Sequence, residues 1–271
     1  MNALLFNSTL VIYAVATALY LCFLVKTKPM LGRAGHVTLA VGFLVHCAFT
    51  LERYVEAGHT PITNLHESLS FFSLAVVGIY LLCESRYKVF ILGSFVTPLA
   101  LLILAVSATF SGVIAPLNPA LKSKWLLVHT SMAFLGYAAF AISFGASIMY
   151  LIQSHFLKKR RLGSLFQKLP PLDMLDEISY RCLTFGFPLL TFAIISGAIW
   201  AETAWGTYWS WDPKETWSLI TWFIYAALLH GRLTTGWRGR KAAMLSILGF
   251  MIMLFTFLGV NLLLPGLHSY K

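Results

Sequence analysis

Eight long stretches of this chain carry no Asp, Glu, Lys or Arg: residues 1–25, 34–51, 68–83, 89–121, 125–157, 182–201, 216–231 and 242–270. A helix needs about 20 mostly apolar residues to cross the hydrocarbon core of a bilayer, with roughly 17 as the short limit. Six of the runs meet that length, and the two 16-residue runs reach it with an interfacial residue at either end. Backbone amides in lipid must be satisfied within the spanning segment, so such runs become helices. The pattern predicts an all-α integral membrane protein with about eight transmembrane helices, forming one polytopic domain over residues 1–271. At 58% hydrophobic and 11% charged residues, the composition excludes a soluble domain with a solvated surface.

The net charge of +10 invites a nucleic-acid reading, but its distribution excludes one. In an eight-helix layout, alternate connections hold 15 of the 20 basic residues against four acids, while the other side holds five basic and six acidic residues. The excess of Lys and Arg marks the cytoplasmic side and places both termini outside. Residues 1–25 lack a basic leader, so a first spanning helix is expected there rather than a cleaved signal. Cys22, Cys47, Cys83 and Cys182 are scattered along apolar runs with no C-x-x-C pair, which argues against thiol redox chemistry.

Between the sixth and seventh runs the character of the chain changes. Six of the eight tryptophans, from Trp200 to Trp222, fall within 23 residues, interleaved with Glu202, Asp212, Lys214 and Glu215. Charges among indoles do not suit a lipid-facing helix. They do suit an aromatic shelf at the membrane edge, placed at about 202–216 on the outer side, for a large planar ligand or for interfacial anchoring.

Ionisable residues within membrane segments are costly, which makes the histidines functional candidates. His129 lies just over a turn into the fifth helix and His268 just beyond the eighth, both at the level of the tryptophan loop. Two neutral imidazoles beside such a shelf would suit a bis-histidine haem. Each could equally cap a helix end or sit in the wet interface. His230 lies some 13 residues further along the seventh helix than Trp217, about 20 Å at ~1.5 Å per residue, too far for the same site. His46 sits near the middle of the second helix, either facing a ligand or hydrogen-bonded in the core. His46 and His59 are 13 residues apart, but Gly58 and Pro61 place His59 outside the helix, so the paired histidines of a membrane b-type cytochrome are not present. His59 and His66, in the outer segment that follows the second helix, could help to roof an outer site.

The segment WGTYWSWDPKETWSLITW is similar to the signature of haem-handling proteins for cytochrome c maturation, whose core reads W-G-x-x-W-x-W-D. Its KET-W continuation resembles the CcsA (ResC) type of system II more than the CcmC or CcmF proteins of system I. GHTPITNLHESLSFFS resembles another CcsA element, with His66 in place of a tyrosine, and NLLLPGLHSY resembles the terminal histidine motif. The resemblance implies that His129 and His268 are outer axial ligands of haem b, and that Trp205, Trp209, Trp211 and Asp212 belong to the loop that holds it. It implies that His230 ligates a second, intramembrane haem together with a CcsB (ResB) subunit, with His46 an alternative ligand. Asp212 and Lys214 would orient the loop, meet haem propionates or form an ion pair.

The function so implied is haem transport, presentation and attachment to the C-x-x-C-H motif of an apocytochrome c, as the CcsA half of a cytochrome c synthase. Whether this chain is itself the enzyme is left open. A bacterial cytoplasmic membrane is expected, with a thylakoid membrane the alternative. Two other functions compete: a multi-pass permease with tryptophans as anchors, or an electron-transfer subunit that keeps its haem b.

Overall fold

A computed structural model describes residues 2–114, 123–160, 163–264 and 266. Their secondary structure is helical throughout, with no strand among the described residues: α1 (Asn2–Lys26), α2 (Pro29–Ala57), α3 (Leu65–Tyr87), α4 (Phe90–Ser107), α5 (Lys124–Lys158), α6 (Ser164–Lys168), α7 (Leu172–Trp205), α8 (Pro213–Thr234), α9 (Arg240–Leu254), a π-helical turn (Phe255–Gly259) and α10 (Val260–Leu263). Among the described residues, seven stretches are long and apolar enough to cross a membrane: α1 to α5, α7 and the run Arg240–Leu263. The eighth expected span corresponds to α8, which is 22 residues long. It falls short in apolarity because Lys214 and Glu215 at its start and His230 and Arg232 near its end, with the Ser and Thr between, offset its aliphatic residues.

The helices outrun the apolar stretches that announce them. The second, expected over about 36–51, extends over Pro29–Ala57, and Gly58 ends it in the left-handed region at φ 70°. Only Gly takes that conformation without strain. The third, expected over about 69–83, begins at Leu65, where the Asn64 side chain accepts a hydrogen bond from the Glu67 amide. Pro98 lies inside α4, which continues to Ser107.

The described residues group into two compact units, one drawn from within residues 1–114 and 149–175, the other from within 115–148 and 176–271. In the first, α1 and α2 form an antiparallel hairpin in which α2 presents small residues to aromatic rings. A Cβ on Gly42 would lie 2.9 Å from the Tyr13 ring, and one on Gly35 3.3 Å from Tyr20. Close approach through small residues is a main source of packing energy between helices in lipid. Buried polar groups then pair across the interfaces. The Tyr20 hydroxyl donates to Glu84 at 2.7 Å, and Arg53 donates to Glu67 at 2.8 Å.

In the second unit, α5 and α7 cross so closely that a Cβ on Gly136 would sit 3.1 Å from the Gly186 carbonyl oxygen. The Ser143 hydroxyl lies 2.8 Å from both Ser179 and Ser246, tying α5, α7 and α9 together. Interhelical hydrogen bonds of this kind contribute about 0.6 kcal/mol each in a membrane. Beside them the Phe140 and Tyr225 rings stack at 3.8 Å. Because backbone lies opposite Gly136, a side chain there has nowhere to go. Gly136→Val is expected to destabilise the protein by about 1–3 kcal/mol, as overpacking does elsewhere, read as a lower unfolding temperature in detergent. An unchanged temperature would refute the close crossing.

Candidate functional site

The site is best built from α8 backwards. Asp212 precedes Pro213, and its carboxylate accepts from the Lys214 amide at 2.9 Å while Glu215 reaches back to the Asp212 amide at 3.1 Å. This reciprocal arrangement is a capping box, here made by an acid at each end, and it satisfies amides that the first turn leaves without partners. Glu215 also accepts from the Ser210 amide at 2.8 Å, so one buried carboxylate holds both ends of the Ser210–Asp212 corner. Gly206, at φ 74°, closes α7 at the other end of the loop.

That clamp sustains an unusual backbone. Trp211 has φ 61°, a region a bulky side chain rarely enters, and its indole is 68% exposed. Such strain persists only where the surroundings over-determine it. Trp209 meets Trp211 edge-on at 5.8 Å, whereas Trp200 is buried with the half-buried Trp205 against it at 4.9 Å. The shelf therefore has an inner pair anchored by the buried Trp200 and an outer pair ending in the exposed Trp211, with Trp205 and Trp209 half-buried.

His129, on α5, is fixed beside the inner pair. Its Nδ1 lies 2.7 Å from the Ala193 carbonyl oxygen on α7, and its ring is nearly parallel to Trp200, at 16° with centroids 6.3 Å apart. A carbonyl can only accept, so Nδ1 carries the proton and, in the neutral ring, Nε2 keeps its lone pair. The space for this contact comes from Gly197, where a Cβ would stand 2.6 Å from Nδ1.

Lys214 completes the group. Its Nζ donates to Asn261 Oδ1 at 3.1 Å, and its charge is near enough to act on the His129 ring. Lys214 precedes the apolar run of α8.

Of the expected site residues, the second unit thus brings together His129, Trp205, Trp209, Trp211 and Asp212. His268 lies outside the described residues. Gly266, two positions earlier, runs against the loop, since a Cβ there would be 2.4 Å from the Asp212 carboxylate. His230 is exposed on α8, and no hydrogen bond to its ring is found among the described residues. His46 belongs to the first unit, where Tyr13 lies 3.1 Å from Nδ1 and Ser70 2.9 Å from Nε2. Both its nitrogens are engaged, so in this arrangement neither is offered to iron. His66, also in the first unit, holds its Nδ1 on the Ser107 carbonyl at 2.9 Å as His129 does on Ala193, but its ring lies against Phe6 and Phe49 rather than against the tryptophan shelf. Gly197, the Ala193 carbonyl and Asn261 join the site without having been singled out by the sequence, and Glu215, noted there only as a charge among the indoles, turns out to hold the loop. The D-x-x-E spacing of Asp212 and Glu215 carries the signal for that role.

Residues 62–268, which include this whole constellation, match the family described as Cytochrome C assembly protein. The chain belongs to that family. It is 39% identical to the cytochrome c biogenesis protein CcsA of Gloeobacter violaceus, over 99% of this chain and 96% of that one. It is 43% identical to CcsA of Guillardia theta, over 80% of this chain and 79% of the other. Against CcsA of Chlamydomonas reinhardtii identity is 42%, over 86% of this chain and 67% of that one. The structure also superposes on the solved cytochrome c haem lyase CcmF, with a TM-score of 0.71 at 18% identity. That match covers 95% of this chain but 46% of the CcmF chain, and it speaks for the fold. A CcsA-type, multi-pass membrane protein of cytochrome c biogenesis is therefore established, as the resemblance had implied.

Proposed function

We propose that this protein receives haem b, holds it against the tryptophan shelf on the non-cytoplasmic face of the membrane, and presents it to an apocytochrome c. The observation that carries this reading is the His129 tautomer: a backbone carbonyl holds Nδ1–H, leaving an oriented Nε2 lone pair beside indoles. Axial histidines of haem are held this way, by a hydrogen bond from the second nitrogen. The residues fit the group. His129 would supply one axial nitrogen, His268 the other, and Trp200, Trp205, Trp209 and Trp211 apolar faces for the porphyrin. When bound, haem supplies vinyl groups to which thiols of a C-x-x-C-H segment add, each S–H crossing a C=C bond with no net oxidation.

The chain's own part is to position and shield. The capping box fixes the loop, and the outer Trp209–Trp211 pair offers an edge where an apocytochrome could approach. His230, exposed on α8, suits a second haem whose other ligand comes from a CcsB (ResB) subunit. The charge bias of the connections supports a shelf on the outer side, and a bacterial cytoplasmic membrane is the setting we infer, with a thylakoid membrane the alternative.

The test is a spectrum and a complementation. Protein purified in mild detergent together with its partner subunit is expected to show a Soret band. A strain lacking the gene should regain covalent cytochrome c with the wild-type chain, and fail to with His230→Ala. Purified complex devoid of haem, in cells that make it, would remove the reading.

A further inference from the structure

The last long helix does not run evenly to its end. After α9 it widens into the π-helical turn Phe255–Gly259, where the Val260 amide reaches back five residues to the Phe255 carbonyl, and then it closes again as α10. A π turn inserts one residue into an α-helix, and such turns are frequent at functional sites. With 3.6 residues per turn, one extra residue rotates everything beyond it by about 100°. The widening therefore decides which residues of α10 face α8.

Contacts with α8 hold the turn open. The buried Thr256 hydroxyl lies 2.9 Å from the Ile252 carbonyl on α9, 3.2 Å from the Trp217 carbonyl and 3.0 Å from the Thr221 hydroxyl. Thr221 also donates to the Trp217 carbonyl, at 2.9 Å, so two hydroxyls serve carbonyls of two helices. The Phe255 ring meets Trp217 edge-on at 4.5 Å, and Gly259 leaves room for it, since a Cβ there would stand 2.4 Å from that ring. Asn261 braces the far side, its side-chain amide donating to the Phe257 carbonyl at 2.6 Å. In this register Asn261 also meets Lys214 at 3.1 Å, and Gly266 runs against Asp212. Wound as a plain α-helix, the same sequence would carry Asn261 about 100° around the axis and off that contact. His268 follows Gly266 by two residues in the chain.

Resting on the haem reading above, we propose that the π turn, pinned by Thr256, sets the register of the segment leading to His268, the axial ligand assigned opposite His129. Thr256 is a positioning residue: it acts through the helix that carries the second imidazole.

The experiment removes the extra residue. With Leu258 deleted, the helix can close as a regular α-helix while every assigned ligand stays in the chain. The complex of the full chain with its partner subunit is purified with its haem, and reduced spectra are compared. Wild type is expected to show the low-spin, six-coordinate haem of two imidazoles. Deletion of Leu258 should leave five-coordinate, high-spin haem that added imidazole returns to the low-spin form. Thr256→Val, which keeps shape and loses the hydroxyl, should lower haem affinity about tenfold, the smaller end of what losing an orienting partner costs. Thr256→Ser should retain wild-type affinity. Where the deleted protein fails to fold, the Val and Ser pair decides. Low-spin haem at wild-type affinity in Thr256→Val, or high-spin haem in the deletion that imidazole does not restore, overturns the positioning role and leaves the haem reading standing. A wild-type complex without haem removes that reading, and this inference with it.

Discussion

His129→Ala is expected to weaken haem binding by the purified complex about a hundredfold, some 2.8 kcal/mol, and to abolish covalent cytochrome c in cells. The argument is local. In the second unit, His129 is the described imidazole beside the tryptophan shelf, and its Nδ1 is fixed on Ala193 at 2.7 Å. Alanine removes the lone pair and the ring that lies nearly parallel to Trp200. It should cost little stability, because the histidine is half-buried near one end of α5 and contributes one hydrogen bond. Binding and folding can therefore be separated by comparing Soret titrations with unfolding temperatures. His46→Ala is the informative contrast. That ring is buried, bonded on both nitrogens and remote in sequence from the shelf, so its loss should lower the unfolding temperature and leave haem affinity unchanged. The opposite pattern, haem lost with His46 and kept without His129, would transfer the ligand role to the first unit.

The contrast between these two histidines also marks what the sequence could and could not reveal. Both were candidates because each sits in an apolar run; position put His129 at the level of the tryptophan loop and His46 near the middle of a helix, but for each a hydrogen-bonded or capping role stayed open. What separates them is the identity of their partners. Tyr13 and Ser70 lie 33 and 24 residues from His46, and Ala193 lies 64 residues from His129. Such pairings depend on helix packing, which a one-dimensional pattern does not encode. The spans themselves were legible because burial in lipid leaves a composition signal in every residue of the segment. Their ends were less so. Helices continue past the hydrocarbon boundary until a cap stops them, as α2 does to Gly58, so the apolar run underestimates the helix. At α8 the D-x-x-E spacing of Asp212 and Glu215 is a cap signal that the sequence reading did not draw on, whereas the π-helical turn at Phe255–Gly259 has no comparable sequence mark. Lys214 shows the intermediate case, since its charge drew notice but its direction depends on Asn261, 47 residues away.

Gly197→Ala carries the second large expectation, and it touches no ligand. Gly197 lies inside α7, where replacing Gly by Ala ordinarily favours the helix by about 1 kcal/mol. The added methyl would stand 2.6 Å from His129 Nδ1 and 2.8 Å from Cε1, closer than atoms pack. The imidazole is the end of a two-torsion side chain and can swing aside, so the protein should fold with an unfolding temperature at or above that of the wild type. In swinging, however, the ring loses the Ala193 carbonyl, and with it the contact that fixes both tautomer and direction. Losing such an orienting partner typically costs 10–100-fold in metal affinity, and a fall in haem affinity of about that size is expected, with a matching fall in covalent cytochrome c. Ala198→Gly, one position along the same helix, serves as the opposite control, lowering helix stability without entering the slot. Should Gly197→Ala bind haem as tightly as the wild type, the carbonyl-held imidazole is not what orients the iron, and the fit between α7 and His129 would be a matter of packing alone.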